Sequence, residues 1–177
     1  MKIKLIGEGI NVAPIYWKLL NNPQLWNQHT TRTSSPTSPH HGLDDIWARF
    51  GDPERAKDGN PHESFWYEAG DVLGIKNICE DVMEFVGGVE LGGVLITRIP
   101  AGATCKPHVD GGWHARTYDK FALQITSAPG QRFNFEGESL ETKPGDLYWF
   151  DNQYLHWVTN DTPYERVTMI ICIRKEK

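Results

Sequence analysis

After residue 88 the sequence becomes a succession of short strand-like runs that no helical segment interrupts. Turn-forming residues, such as Pro100-Ala101-Gly102 and Pro144-Gly145-Asp146, separate the runs. Short strands at such spacing are typical of a jelly roll or a related barrel, and they argue against alternating strands and helices in a parallel sheet. The predicted strands are 93–99, 104–110, 118–126, 132–135, 139–142, 147–150, 156–159 and 166–174.

The preceding part of the chain, residues 1–88, has a mixed pattern. Residues 2–6 alternate charged and aliphatic side chains, which predicts a short strand at a sheet edge. Residues 11–20 have a cap, an early proline and an apolar side, which indicates a helix. Residues 71–86 have the clearest helical period in the chain, and this predicts one amphipathic helix from Asp71 to the following glycine pair.

The rest of this part is irregular. Residues 27–42 are polar and rich in Thr, Ser and Pro, so they predict a loop, either a lid over a site or a disordered segment. Residues 45–50 have the composition of a strand, and residues 51–61 are dense in turn signals. We find no linker or repeat, so we expect one domain over 1–177, in which this part packs on a β-rich core over 89–177.

The composition is that of an ordinary soluble globular protein. A net charge of −5 gives no indication of a nucleic-acid-binding surface. The three cysteines are widely spaced and odd in number, which favours a reducing compartment over a disulfide framework. No signal-like or membrane-length apolar run is present, so the sequence predicts a cytoplasmic protein without a membrane partner. No feature specifies an oligomeric state.

A candidate metal site begins at His108. In a strand, residues two apart point the same way, so His108 and Asp110 are able to bind one ion together. A later strand supplies His156. Two histidines and one carboxylate leave coordination positions open, an arrangement associated with non-haem Fe(II) oxygenases. An isolated His-x-Asp pair is common by chance, so the hypothesis depends on the residues around it.

Two further strands carry candidate anion-binding groups. Arg166 and Thr168 share one face of the last strand, where a guanidinium fork and a hydroxyl suit a carboxylate. The alternative is an ordinary surface salt bridge made by Arg166. Lys120 and Gln124 share a face of residues 118–126 and are candidates for the second end of a dicarboxylate, or for a solvent-facing edge.

In this order the motifs resemble the Fe(II)/2-oxoglutarate-dependent dioxygenases, whose fold is a double-stranded β-helix. The resemblance covers about residues 90–174 and is narrower in its second half, where several short motifs look like the aspartyl/asparaginyl β-hydroxylase branch. These motifs are Ile99-Pro100-Ala101-Gly102, Pro144-Gly145-Asp146, Phe150-Asp151-Asn152, His156-Trp157-Val158-Thr159-Asn160 and Arg166.

The resemblance implies a role for each matching residue. His108, Asp110 and His156 would bind iron, and Arg166 with Thr168 would bind the distal carboxylate of 2-oxoglutarate, with dioxygen as the second co-substrate. It also implies hydroxylation of an amino-acid, peptide or protein side chain, with Asp or Asn favoured.

Two departures from the branch limit this implication. The branch can lack the acidic ligand that Asp110 supplies here. Its arginine and histidine on the strand after the first ligand are also replaced, because Lys120-Phe121-Ala122 is the nearest match. We therefore treat Lys120 as a candidate for the arginine's place and leave the substrate of the branch as one possibility among several.

Several other polar residues are candidates for substrate contacts. Trp113, His114 and Arg116 follow the metal motif in a glycine-led segment, and Arg32 lies in the long polar loop. Cys105 lies three residues before His108, so strand alternation places it on the opposite face, as a packing residue.

Two other classes of function remain compatible with the sequence. One is a cupin-type metalloenzyme that does not use 2-oxoglutarate, in which Arg166 would bind an acidic substrate directly. The other is a non-catalytic jelly-roll module that retains a metal or sugar site.

Overall fold

A computed structural model describes residues 1–52 and 60–176, and it contains two antiparallel sheets. Residues 53–59, within the predicted turn-rich segment, lie outside the described part. The larger sheet has seven strands in the order β1-β9-β6-β11-β4-β2-β3, and the smaller has four in the order β5-β10-β7-β8. The strands are β1 Ile3–Gly7, β2 Asp44–Phe50, β3 Phe65–Trp66, β4 Gly88–Ile99, β5 Thr104–His108, β6 Asp119–Thr126, β7 Arg132–Phe135, β8 Glu138–Glu141, β9 Leu147–Phe150, β10 His156–Thr159 and β11 Arg166–Lys175.

The arrangement confirms the predicted mainly-β fold. All of the strand pairs are antiparallel, as expected for a jelly roll, and side chains from both sheets line a common cavity. The long central strand β11 pairs with β4 on one side and with β6 on the other. The predicted strand 166–174 therefore forms the middle of the larger sheet.

Residues 1–88 contribute strands to the larger sheet as well as packing on it. β1 pairs with β9 at one edge, as the alternation in residues 2–6 predicted. β2 pairs with β4 near the other edge, where the sequence also indicated a strand. The fold is therefore continuous across residue 88, and the candidate site rests on a sheet that both parts of the chain build.

The helices lie mostly before the core strands. They are α1 Ala13–Asn21, α2 Glu68–Leu73, α3 Lys76–Phe85 and α4 Gly112–Thr117, with a 3-10 turn at Pro23–Leu25. The prediction of one helix over 71–86 is wrong, because Gly74 has φ 64° and ends α2. Glycine adopts this left-handed conformation without steric cost and is a common helix terminator. The apolar side of α3 nevertheless faces the core as predicted, through Cys79 and Val82.

The main hydrophobic core lies between these helices and one face of the larger sheet. Alternate residues of β6 and β11 face it and are almost entirely buried, among them Leu123 and Met169. The opposite face of the same strands lines the cavity. Among the described residues, no helix has the length and apolar character needed to cross a membrane.

Candidate functional site

The candidate metal residues meet where β5 and β10 pair. His108, at the end of β5, lies directly opposite His156, at the start of β10, and their ring centroids are 4.4 Å apart. Asp110 follows two residues after His108, and its carboxylate lies 3.4 Å from the Nε2 atom of that histidine. One ligand atom from each of the three residues lies within 4.8 Å of the others. The structure therefore brings together all three residues that the sequence proposed.

The Nδ1 atoms of His108 and His156 form hydrogen bonds to backbone carbonyl groups. His108 Nδ1 lies 2.7 Å from the Lys106 carbonyl oxygen, and His156 Nδ1 lies 2.8 Å from the Tyr154 carbonyl oxygen. Each Nδ1 donates to its carbonyl, which directs the lone pair of Nε2 away from the backbone. Such outer hydrogen bonds fix the tautomer of metal-binding histidines and orient their rings. The donor set therefore fits a divalent iron ion.

Asn152 positions the acidic member of the cluster. Its side-chain amide donates to the Asp110 carboxylate at 3.3 Å and to the Ala115 carbonyl at 3.0 Å. Its backbone carbonyl accepts the Asp110 amide at 3.1 Å. Asn152 lies within one of the family motifs, but residue spacing does not indicate this role, because the contact spans 42 residues.

The electrostatics of the cluster reflect its burial. Burial alone would lower the pKa of His108, but hydrogen bonds to Asp110, Cys105 and a backbone carbonyl outweigh that effect and raise it to about 10. Burial would raise the pKa of Asp110, but the hydrogen bond with His108 and the charge of Lys120 hold it well below its usual value. A metal ion would compete for His108 Nε2 with the proton that the hydrogen bond to Asp110 favours.

Cys105 lines the same cavity as His108, so its predicted position on the opposite face is wrong. The pairing of β5 with β10 has an irregularity after His156, where Val158 pairs with Cys105. A bulge of this kind shifts the alternation of side chains by one residue. Strand alternation read from the sequence does not anticipate it.

The predicted anion-binding pair on β11 is also in the cavity. Arg166 is only 2% exposed, and its guanidinium donates to hydroxyl oxygens of Thr168 at 2.9 Å, Tyr148 at 3.2 Å and Thr142 at 3.5 Å. Its Nε has no hydrogen-bond partner in the described part of the chain. Within residues 1–52 and 60–176 no carboxylate pairs with this buried cation, which excludes the surface salt bridge considered as an alternative.

Lys120 is buried in the same cavity, at 7% exposure, so the alternative of a solvent-facing edge is wrong. Its ammonium lies 3.1 Å from the Cys172 thiol. Lys120 pairs in register with Cys172, six residues along β11 from Arg166, a separation of roughly 20 Å between Cα atoms. The two long cationic side chains therefore enter the cavity from its two ends.

Gln124 serves the structure rather than a ligand. Its amide donates to the Val167 carbonyl at 2.9 Å and to the Thr168 hydroxyl at 3.1 Å, and it accepts from Thr142 at 2.8 Å. These bonds saturate the side chain, which is absent from the cavity lining. Gln124 thus fixes two of the hydroxyls that surround Arg166.

The long polar loop covers the cavity, which favours the lid interpretation over disorder. Arg32, Ser38 and His40 line the cavity, and the His40 ring lies edge-on to His108 at 4.8 Å between centroids. The loop is tied to β5, because the Lys106 amide donates to the Pro39 carbonyl at 2.9 Å. Burial and the charge of Arg32 lower the pKa of His40 to about 2, so this imidazole is neutral.

The segment after Asp110 is the short helix α4 rather than a glycine-led loop, and it separates the three substrate candidates. His114 lines the cavity, and its Nε2 accepts the Gly93 amide at 3.1 Å. Its pKa is lowered to about 3 by burial and by the charge of Lys120. Trp113 packs against other aromatic rings without lining the cavity, and Arg116 is exposed to solvent, so the structure brings only His114 to the site.

The His114 contact depends on a glycine. A Cβ at Gly93 would lie 2.8 Å from the Phe50 ring and 3.3 Å from the His114 ring. A side chain there would push both rings away from the backbone. The Gly93 amide therefore reaches the imidazole directly, and the accepted hydrogen bond assigns the remaining proton of His114 to Nδ1.

The three metal-ligand candidates, the two buried cations and His114 line one cavity of about 300 Å³ between the two sheets. This volume is at the lower end of the range for small-molecule sites. Its apolar walls come from rings and aliphatic side chains such as Phe133, Phe150, Val158 and Ile170. The cavity therefore combines three residues that could hold a metal ion, two buried cations and a covering loop.

Comparison with solved structures shows the same fold across nearly the whole chain. A viral collagen prolyl hydroxylase from Paramecium bursaria Chlorella virus-1 has a TM-score of 0.58 at 12% identity, with 99% of this chain and 97% of that one covered. A Pseudomonas putida prolyl-4-hydroxylase has a TM-score of 0.56 at 14% identity, with 99% and 94% covered. A Trichoplax adhaerens prolyl hydroxylase, solved with a hypoxia-inducible-factor peptide, has a TM-score of 0.58 at 14% identity, with 98% and 84% covered.

No curated protein sequence matches the chain. The model of the family described as aspartyl/asparaginyl beta-hydroxylase matches residues 74–176, which is more than half of the chain. The matched residues include the three metal-ligand candidates His108, Asp110 and His156, together with Lys120 and the Arg166–Thr168 pair. The match confirms the expected enzyme class and, together with the His-His-Asp group, the expected metal Fe(II) and the co-substrates 2-oxoglutarate and dioxygen. The chain belongs to the aspartyl/asparaginyl β-hydroxylase family.

Proposed function

We propose that His108, Asp110 and His156 hold Fe(II) in this cavity, and that the enzyme hydroxylates an Asp- or Asn-like side chain of an amino acid, peptide or protein. The observation that carries the proposal is the position of the buried Arg166, which no carboxylate of residues 1–52 and 60–176 neutralises, in the same cavity as His108, Asp110 and His156. Burying a charge without a partner is costly, so such a residue indicates an anionic ligand.

Arg166 and Thr168 are the proposed site for the distal carboxylate of 2-oxoglutarate. The guanidinium is oriented by three hydroxyl groups, and its Nε is left without a partner in the described chain. A planar fork held in this way is suited to a carboxylate. Lys120, at the other end of the cavity, is the proposed partner of the second carboxylate, which would replace the weak contact with the Cys172 thiol.

The residues around the triad would prepare it for catalysis. Backbone carbonyls hold the Nδ1 protons of both histidines, which leaves their Nε2 lone pairs for the ion, and Asn152 fixes the Asp110 carboxylate. Fe(II), when bound with 2-oxoglutarate and dioxygen, supplies the oxidising power for inserting oxygen into a C–H bond. The protein positions the reactants, and the loop that carries His40 limits access of water to the cavity.

The substrate preference and the location are also parts of the proposal. An Asp or Asn side chain agrees with the name of the family, and a cavity of this size admits a small molecule or a single side chain. We place the protein in the cytoplasm, since its three cysteines are free thiols, as a reducing compartment would maintain them.

The test is a spectroscopic titration under anaerobic conditions. Addition of Fe(II) and then 2-oxoglutarate is expected to produce the visible charge-transfer band of a chelated keto acid. His108→Ala should abolish the band, and Arg166→Met should demand much more 2-oxoglutarate to produce it. His41→Ala and Arg174→Met are matched controls, because His41 is exposed outside the cavity and Arg174 pairs with Glu90 at the far end of β11.

Two results would contradict the proposal. Folded wild-type protein without the band would indicate a metalloenzyme or binding module that does not use 2-oxoglutarate. A band that survives in both cavity variants would show that the co-substrate binds elsewhere.

A further inference from the structure

One cation of the cavity remains without a role after iron and 2-oxoglutarate have been assigned. Arg32, in the covering loop, lines the cavity and has 28% of its side chain exposed, so it lies at the entrance. The family match begins at residue 74 and does not include it. The question is which ligand a guanidinium at this position would contact.

The charge of the cavity lining indicates the sign of that ligand. The described residues that line it include three cationic side chains, Arg32, Lys120 and Arg166, and one carboxylate, Asp110, and the buried carboxylate of Asp45 lies beside Arg32, so the positive groups still outnumber the negative ones. The double positive charge of Fe(II) and the double negative charge of 2-oxoglutarate cancel. The positive excess of the protein therefore remains when both are bound, and a cleft with such an excess attracts an anionic molecule.

Arg32 is oriented by a buried acid but is not saturated by it. Asp45 is fully buried, and one of its oxygens accepts from the Thr97 hydroxyl at 2.9 Å. Its other oxygen lies 3.4 Å from the Arg32 Nε, which is longer than a good charge-assisted hydrogen bond. The described residues provide no hydrogen-bond partner for the two Nη groups of Arg32, so these donors are available to a ligand.

The loop backbone around Arg32 is fixed as well. The Ser38 hydroxyl donates to the Arg32 carbonyl and accepts the His40 amide, and the Gly42 amide donates to the Thr33 carbonyl at 3.4 Å. These bonds fix the backbone from which the Arg32 side chain extends, and Asp45 orients the guanidinium, so no substrate is needed to place it at the entrance. A preorganised donor loses little conformational freedom when it binds its ligand.

We propose that Arg32, oriented by Asp45, is a substrate-binding residue that recognises a carboxylate of the molecule to be hydroxylated. The inference rests on the proposed function and narrows its substrate class from Asp- or Asn-like to acidic. The carboxylate has two possible sources, a free amino acid and an aspartyl side chain of a peptide. In both cases the group recognised is the side-chain carboxylate, so the discriminating ligand is the amide analogue, which has nearly the same shape but lacks that charge.

The experiment measures binding rather than turnover. Protein loaded anaerobically with Fe(II) and 2-oxoglutarate is titrated in a calorimeter with L-aspartate and L-asparagine, and then with short end-blocked peptides that contain either residue. We expect the acid to bind at least about tenfold more tightly than its amide in one of the two series, because a hydrogen bond to a charged group is stronger than one to a neutral group. The series that shows the preference identifies the source of the carboxylate.

Two variants and one control assign the preference to Arg32. Arg32→Gln should reduce the ratio of acid to amide affinity to within about twofold, whereas Arg32→Lys should retain part of it, because lysine keeps the charge without the fork. Arg98→Gln is the matched control: Arg98 is equally half-buried and pairs with Asp44 at 2.9 Å, but it does not line the cavity. All three variants should bind 2-oxoglutarate as the wild type does.

Equal responses to acid and amide in both series, including no response to either, would overturn the inference. So would a preference that persists unchanged in Arg32→Gln. These outcomes differ from failure of the proposed function, since that failure would remove the 2-oxoglutarate band from the wild-type protein itself.

Discussion

The two faces of the larger sheet are built from the same strands but have different compositions. On β11, one set of alternate residues is Val167, Met169, Ile171 and Ile173, which pack against the helices. The other set is Arg166, Thr168, Ile170 and Cys172, which line the cavity. The first face buries apolar surface and stabilises the fold, whereas the second holds charged and polar groups that need a ligand. Within the ten residues of β11, strand alternation thus places the residues that stabilise the fold on one face and the candidate ligand-binding residues on the other.

The largest expected effect is a loss of stability after a substitution on the face that packs against the helices. Met169→Ala would remove a side chain with no solvent exposure from the packed face, and such truncations cost about 2–5 kcal/mol. Urea denaturation should show this loss in the free energy of unfolding. The fraction of protein that remains folded should still form the 2-oxoglutarate band with unchanged affinity. A loss of affinity in the folded fraction would contradict the separation of the two faces.

Arg166→Met should have the opposite profile. Removal of a buried ionic contact costs about 2–5 kcal/mol of binding energy, so the affinity for 2-oxoglutarate should fall by a factor of 30 or more. The ligand-free variant should be at least as stable as the wild type, because the substitution removes a buried charge that no carboxylate neutralises in the described chain. Urea denaturation with and without 2-oxoglutarate measures both quantities. A large loss of stability without the ligand would indicate a structural role for Arg166.

The sequence predicted the polar residues of the cavity well, because their spacing along each strand is a local pattern. His108, Asp110, His156, Arg166 and Thr168 were assigned from alternation and from the order of the motifs, and the cavity contains all five. The strand order of the seven-stranded sheet could not be predicted from the sequence. Its order depends on pairings between distant segments, such as β1 with β9, which residue spacing does not encode.

The features that the sequence did not predict depend on single local events or on long-range contacts. The predicted helix over 71–86 is broken because Gly74 adopts a positive φ, and Cys105 turns into the cavity because of an irregularity in β-pairing. Asn152 and Tyr148 reach the site through contacts with residues 42 and 18 positions away. Trp113 and Arg116 were favoured for their proximity in sequence to the metal motif, but the short helix α4 directs them elsewhere.

Asn152→Ala tests whether the hydrogen bond from Asn152 to the Asp110 carboxylate strengthens metal binding. Loss of an outer hydrogen bond to a metal-binding group typically lowers metal affinity by a factor of about 10 to 100. We therefore expect the affinity for Fe(II), or for Co(II) as a stable substitute, to fall within that range in a metal titration. Gln153→Ala is a suitable control, since Gln153 also donates to the Ala115 carbonyl but does not contact Asp110. Equal effects of the two substitutions would assign the role of Asn152 to the Ala115 contact.

Lys120→Met should have the smallest effect on the affinity for 2-oxoglutarate. It tests whether every cation on the cavity face binds this ligand. The lysine lies on the cavity face, and its ammonium contacts the Cys172 thiol in the protein without ligand. If it binds the second carboxylate of 2-oxoglutarate, the substitution should weaken that ligand by about tenfold, because a charge-assisted hydrogen bond contributes about 1.5–3 kcal/mol and iron already holds this end of the molecule. The titration of the visible band measures the change. Unchanged affinity would mean that Lys120 serves to neutralise Asp110 instead, and that the second carboxylate depends on the iron alone.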